Sequence, residues 1–123
     1  MNKLDQAEAL KLRTKQFAIR IVAVSRSLPR SREADVIGKQ LLRSGTAVAA
    51  NYRAVCRARS KAEFISKISI VVEEADETVF WLELLGDTGL APAAKLTLLL
   101  KEANELVAIC AASLSTAKIN RAS

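Results

Sequence analysis

The 123-residue chain contains no histidine. That absence removes the Ser-His-Asp and Cys-His nucleophile systems. It also removes the Glu-x-x-His pairs with which carboxylate-rich bundle proteins hold two metal ions. Four glycines and two prolines are too few for the many turns of an all-β fold. The five aromatics, Phe17, Tyr52, Phe64, Phe80 and Trp81, are too scattered for a base-stacking platform. Neither G-x-x-x-x-G-K-[ST] nor G-x-G-x-x-G occurs, so no phosphate-cradling loop is present. The two cysteines, Cys56 and Cys110, lack CxxC spacing and lie inside helical patterns, where a lone cysteine is expected to act as a small buried hydrophobe. Nothing points to a disulfide scaffold, and a reducing compartment fits. No run of eighteen apolar residues is free of charge. The segment M-N-K-L-D-Q-A-E-A-L-K-L carries acids where a signal peptide has an apolar core. A cytoplasmic protein without membrane association is the expectation, with no cofactor, no metal and no catalytic residue.

What is present is aliphatic. Half the residues are hydrophobic, mostly Ala, Leu, Val and Ile. A chain of this length is expected to form a single domain, residues 1–123, and to bury roughly two-thirds of the surface its unfolded form exposes. Four helical patterns can be read. The first, Asp5 to Leu28, repeats Phe17, Ile21, Val24 and Leu28 and stops before Pro29, which disfavours helical geometry in its predecessor. Ser31 is placed to cap a second helix running to Arg57, with Ile37, Leu41, Val48 and Val55 on one face. Ser60 and Glu63 have the spacing of a capping box that opens a third helix, running to Leu85. A break at G-D-T-G-L-A-P leads to a fourth, from Pro92 to Ala117, with its seam at Leu96, Leu99, Ala103, Leu106 and Cys110. The final K-I-N-R-A-S is expected to fray. Three short connections between helices of similar length predict an all-α, antiparallel, up-down-up-down four-helix bundle.

Charge divides the chain. Residues 1–61 carry fourteen Lys/Arg against four Asp/Glu, whereas residues 62–123 carry five against nine. On the second helix Lys39, Arg43, Arg53 and Arg57 fall within a narrow band, and S-G-T-A-V-A-A keeps the helix surface low for a close neighbour. On the third, Ile65, Ile68, Val72, Ala75, Val79 and Leu82 form the expected core stripe. Ile70, Trp81 and Leu84 are expected roughly opposite it, among Glu63, Lys67, Glu73, Glu74 and Glu77. An outward patch of that kind marks a contact site, and tryptophan is enriched where interfaces are energetically decisive. The interface candidates are therefore Lys39, Arg43, Ile70, Glu74, Glu77, Trp81 and Leu84. Asn51 is a candidate structural polar residue, expected to meet Glu74. Glu73, Glu74, Asp76 and Glu77 diverge around the helix too widely to hold a cation together.

The segment Q-L-L-R-S-G-T-A-V-A-A-N-Y-R-A-V-C-R-A-R-S-K-A-E-F-I-S-K, continued by V-V-E-E-A-D-E-T-V-F-W-L-E-L-L, resembles the four helix bundle protein family. Its members include proteins encoded by intervening sequences within bacterial large-subunit rRNA genes. The likeness covers about residues 15–110, and where the family often has an acid after the asparagine this chain has Arg53-Ala54. The resemblance implies a left-handed bundle, a ring-like homopentamer and no enzymatic activity. It also implies structural or interfacial roles for Arg43, Ser44, Asn51, Lys67, Glu74, Glu77, Trp81 and Leu82. A more distant similarity, to the accessory variability protein of diversity-generating retroelements, implies nucleic acid and a nucleic-acid-processing protein as partners. The leading expectation is a non-enzymatic, self-assembling bundle that offers RNA or DNA a basic surface made by Arg13, Lys15, Arg20, Arg53, Arg57, Arg59 and Lys61. Such phosphate contacts position a polyanion without reading its sequence. The alternative is a protein-interaction scaffold whose basic and acidic helices neutralise one another between subunits.

Overall fold

The computed structural model describes residues 2–122. Four helices occupy almost all of them: α1 (Lys3–Ser27), α2 (Arg32–Cys56), α3 (Lys61–Asp87) and α4 (Ala93–Ala122). No strand occurs among the described residues. Each of the first three helices opens on a short polar cap that satisfies an otherwise orphaned backbone amide. The amides of Asp5, Ala34 and Glu63 donate to the side chains of Asn2, Ser31 and Ser60 at 2.8, 3.1 and 3.0 Å. The box expected at Ser60 is half formed, since the Glu63 carboxylate turns to Arg59, at 3.7 Å. Leu28 is extended, as the following proline requires. After α3 the chain reverses through Gly89, whose φ of 73° suits a residue without a Cβ. There the amide of Ala91 donates to the Leu85 carbonyl at 3.3 Å.

α4 runs past its expected end at Ala117 and remains helical through Ala122, so the fraying expected of K-I-N-R-A-S is corrected as far as that residue. No glycine or proline follows Ala117 to stop the helix, and Ala117 itself is buried. Ser123 lies outside the described residues.

α1 and α2 run antiparallel, because Gly38 faces Leu28 while Gly45, seven residues on, faces Ile21. A Cβ at Gly45 would stand 2.7 Å from two Ile21 carbons, so the helices approach as closely as a bare backbone allows. The small residues of S-G-T-A-V-A-A thus act at Gly45. α2 packs on α3 and α3 on α4, while α1 and α4 meet at fewer places. One hydrophobic cluster draws on all four helices, with Phe17, Ile21, Leu41, Val48, Ile68, Leu82 and Leu106 among its members.

On α3 the buried positions are Ile65, Ile68, Val71, Ala75, Thr78, Leu82 and Leu85. Val72 and Val79, expected in the core, are half-buried, and Val71, Thr78 and Leu85 take their place. The expected stripe keeps Ile65, Ile68, Ala75 and Leu82 but shifts by one residue at two places, and at one of them the buried Thr78 hydroxyl meets Ser44 of α2. The two cysteines also part company. Cys110 is buried as expected, but Cys56, the last residue of α2, is exposed. No helix among the described residues is long and apolar enough to cross a membrane.

Candidate functional site

Where α2 faces α3, a polar seam replaces apolar packing. The buried hydroxyls of Ser44 and Thr78 lie 2.9 Å apart, and they reach the carbonyls of Leu41 and Glu74 at 3.3 and 2.7 Å. Just outside them, Arg43 donates from Nη1 to Glu74 at 2.9 Å and from Nη2 to Glu77. Glu77 also accepts from the Trp81 indole at 3.0 Å. That indole hydrogen bond, with Arg43 behind it, holds the Glu77 carboxyl below the usual carboxylate range. The two carboxylates in turn hold the Arg43 guanidinium charged, raising its pKa.

This seam corrects two expectations. Glu74 pairs with Arg43 rather than Asn51, whose amide is satisfied within its own helix, donating to the Ala47 carbonyl at 2.8 Å. Trp81 is not opposite the core stripe. It stands one residue, about 100°, from Leu82, is half-buried and packs against the core from the flank. Ile70 and Leu84 are half-buried as well. The outward aromatic is Phe80, 52% exposed, whose ring meets the Trp81 ring edge-on with centroids 4.9 Å apart. Its position was available from the sequence, since two residues from Leu82 is about 200° around a helix.

The seven expected phosphate contacts do not form one patch. Arg13 is taken by α4, donating from Nε and Nη2 to Glu102 at 2.7 Å each and from Nη2 to Glu105 at 3.0 Å. The paired geometry with Arg13, supported by the nearby charge of Arg20, lowers the Glu102 pKa. The acids Glu102 and Glu105 had not been linked to Arg13, because 89 residues separate the first pair. Lys15 and Arg53 lie elsewhere, in an open groove between α1 and α2 that Lys11, Leu12, Thr46, Ala49 and Ala50 also line. Arg57, Arg59 and Lys61 cluster at the α2–α3 connection, where Arg59 reaches Glu63. Lys39 and Lys67 make no ion pair among the described residues; the first is exposed and the second half-buried.

The acids of α3 split between two faces. Glu74 and Glu77 turn inward to Arg43, while Glu73, Asp76, Glu83 and Asp87 are exposed around Phe80. No group of three or more metal-ligating side chains gathers among the described residues.

A family model described as 23S rRNA-intervening sequence protein matches residues 9–112. The chain is also similar to a crystal structure of a protein of unknown function from the S23 ribosomal protein family of Bacteroides thetaiotaomicron. The two share 33% identity at a TM-score of 0.82, over 89% of this chain and 97% of that one. No curated protein matches at a significant level.

Proposed function

The chain belongs to the 23S rRNA-intervening sequence protein family, and from that premise we propose a non-enzymatic bundle that self-assembles and offers a basic surface to RNA or DNA. In this reading the four helices alternate up and down as one domain. The bundle takes the left-handed twist that the family resemblance implies. A closed ring of five copies in the cytoplasm is the assembly that the family resemblance supports.

The observation that carries the reading is an excess of unanswered positive charge. Lys15, Lys39, Arg53, Arg57 and Lys61 are exposed, and none has a carboxylate within ion-pairing distance among the described residues. Pairing between subunits leaves that excess in place, because each copy carries a net charge of +6. A surface of this kind attracts a polyanion and releases its counterions, so affinity falls steeply with salt. The test is fluorescence anisotropy with a structured RNA and a DNA duplex at 50 and 200 mM salt. Neutralising three or four phosphates of the duplex lowers affinity by about 40–150-fold over that range. An intact oligomer that binds neither at low salt overturns the polyanion reading.

The unpaired acids around Phe80 favour the second reading, a scaffold whose charges meet between subunits. It expects an oligomer that dissociates as salt rises and that ignores RNA.

A further inference from the structure

Two surfaces of this molecule complement each other and lie on different sides of it. The first is the groove between α1 and α2, whose lining at Leu12, Ala49 and Ala50 is apolar and low, with Leu12 57% exposed. Lys11 and Lys15 stand along its α1 wall and Arg53 along its α2 wall. Glu8 lines the α1 wall too and pairs with Lys11 at 3.5 Å, which leaves Lys15 and Arg53 as the groove's unpaired charges among the described residues. The second is the outer face of α3. There Phe80 projects alone among the exposed acids Glu73, Asp76, Glu83 and Asp87, none of which makes an ion pair among the described residues.

We propose that Phe80 of one copy seats in the α1–α2 groove of the next, with Asp76 and Glu83 meeting the basic walls at Lys15 and Arg53. The inference rests on the self-assembly part of the reading above and names the surfaces that perform it. The spacing fits. Asp76 and Glu83 lie one turn before and one turn after Phe80, about 6 and about 5 Å along the helix, so an acid flanks the ring on each side as a basic residue flanks the groove on each wall. The chemistry fits too, because an exposed aromatic gains most by entering an apolar recess, and opposite charges around it set the register. A copy cannot fill its own groove, because α3 packs beside α2 and α4 with no close backbone approach to α1, and Phe80 projects outward from it. The contact is therefore head-to-tail, using different patches on the two partners. Such contacts close into rings when the rotation allows, and otherwise propagate.

The test uses the full chain and sedimentation. Phe80→Asp removes the projecting ring, and Ala50→Glu fills the groove with an acid. Each variant alone runs at the monomer mass of 13.3 kDa, while wild type runs larger. Mixed in equal amounts, they retain one intact groove and one intact ring, so they form a 1:1 pair at twice the monomer mass and nothing larger. A circular-dichroism spectrum unchanged from wild type shows that each variant is folded. Should either lose helicity, Asp76→Lys with Glu83→Lys, at exposed positions, takes its place and gives the same loss of mass. Variants that keep the wild-type mass, or a mixture that stays monomeric, overturn this pairing while leaving self-assembly intact. A monomeric wild type overturns both.

Discussion

Gly45 shows how one missing methyl group sets a helix spacing. A Cβ there would meet Ile21 at 2.7 Å, and β-branched Ile21 has little rotamer freedom to retreat. Gly45→Ala gains about 1 kcal/mol of helix propensity but forces an overpacked contact costing about 1–3 kcal/mol. The expected outcome is a net loss of about 1 kcal/mol, read as a fall in thermal midpoint of about 4–8 °C. The cysteines give a second test at this scale. Burial pushes the Cys110 thiol up to about 11, and Cys56, though also raised, is exposed. A thiol reagent at neutral pH is expected to modify one group per native chain and two per denatured chain. Spacing alone gave both cysteines the same role, because a helical pattern does not record that Cys56 falls on the last residue of its helix.

At the scale of the helix, boundaries were legible wherever a side chain declares them. Ser31, Ser60 and the Leu28-Pro29 step each mark an end that the structure keeps. The end of α4 was not legible, since no residue there announces a stop. The seam of α4 is buried throughout as its spacing predicts, whereas of the α1 stripe Phe17 and Ile21 are buried with Val24 and Leu28 half-buried, and on α3 Val72 and Val79 are half-buried. On α3 spacing left the choice between adjacent residues open: Thr78 rather than Val79 is buried where its hydroxyl meets Ser44 of α2, and Trp81 lies on the flank. The partners of Arg13 and Arg43 were hidden for another reason. Pairing between helices depends on register, and a single helix pattern carries none. Those pairs set the response to acid. Glu77 and Glu102 have native values below the ordinary one, through the indole and Arg43 for Glu77 and through Arg13 for Glu102. The folded chain therefore binds fewer protons than the unfolded chain in the acidic range. The stabilisation is complete above the unfolded carboxylate value of about 4.3 and is lost as pH falls through the lower native values. Thermal midpoints measured between pH 6 and pH 3 are expected to drop across that window, and Arg13→Gln is expected to flatten the curve.

For the whole molecule, charge asymmetry was the most visible property in the sequence, and the structure divides it by use. Some basic residues are spent inside the chain, at Arg13 and Arg43, and others remain outside, at Lys15, Arg53, Arg57 and Lys61. No composition could have separated the two groups, because the separation depends on which helix lies beside which. The sparse meeting of α1 with α4 has a mechanical outcome. α1 hangs mainly from α2, and its far side is clasped to α4 by one guanidinium and two carboxylates that water and ions can reach. Raising ionic strength loosens that clasp before it disturbs any oily contact, so the first hinge of this protein to swing is expected to be its opening helix, swinging outward like a door from the post at Gly45.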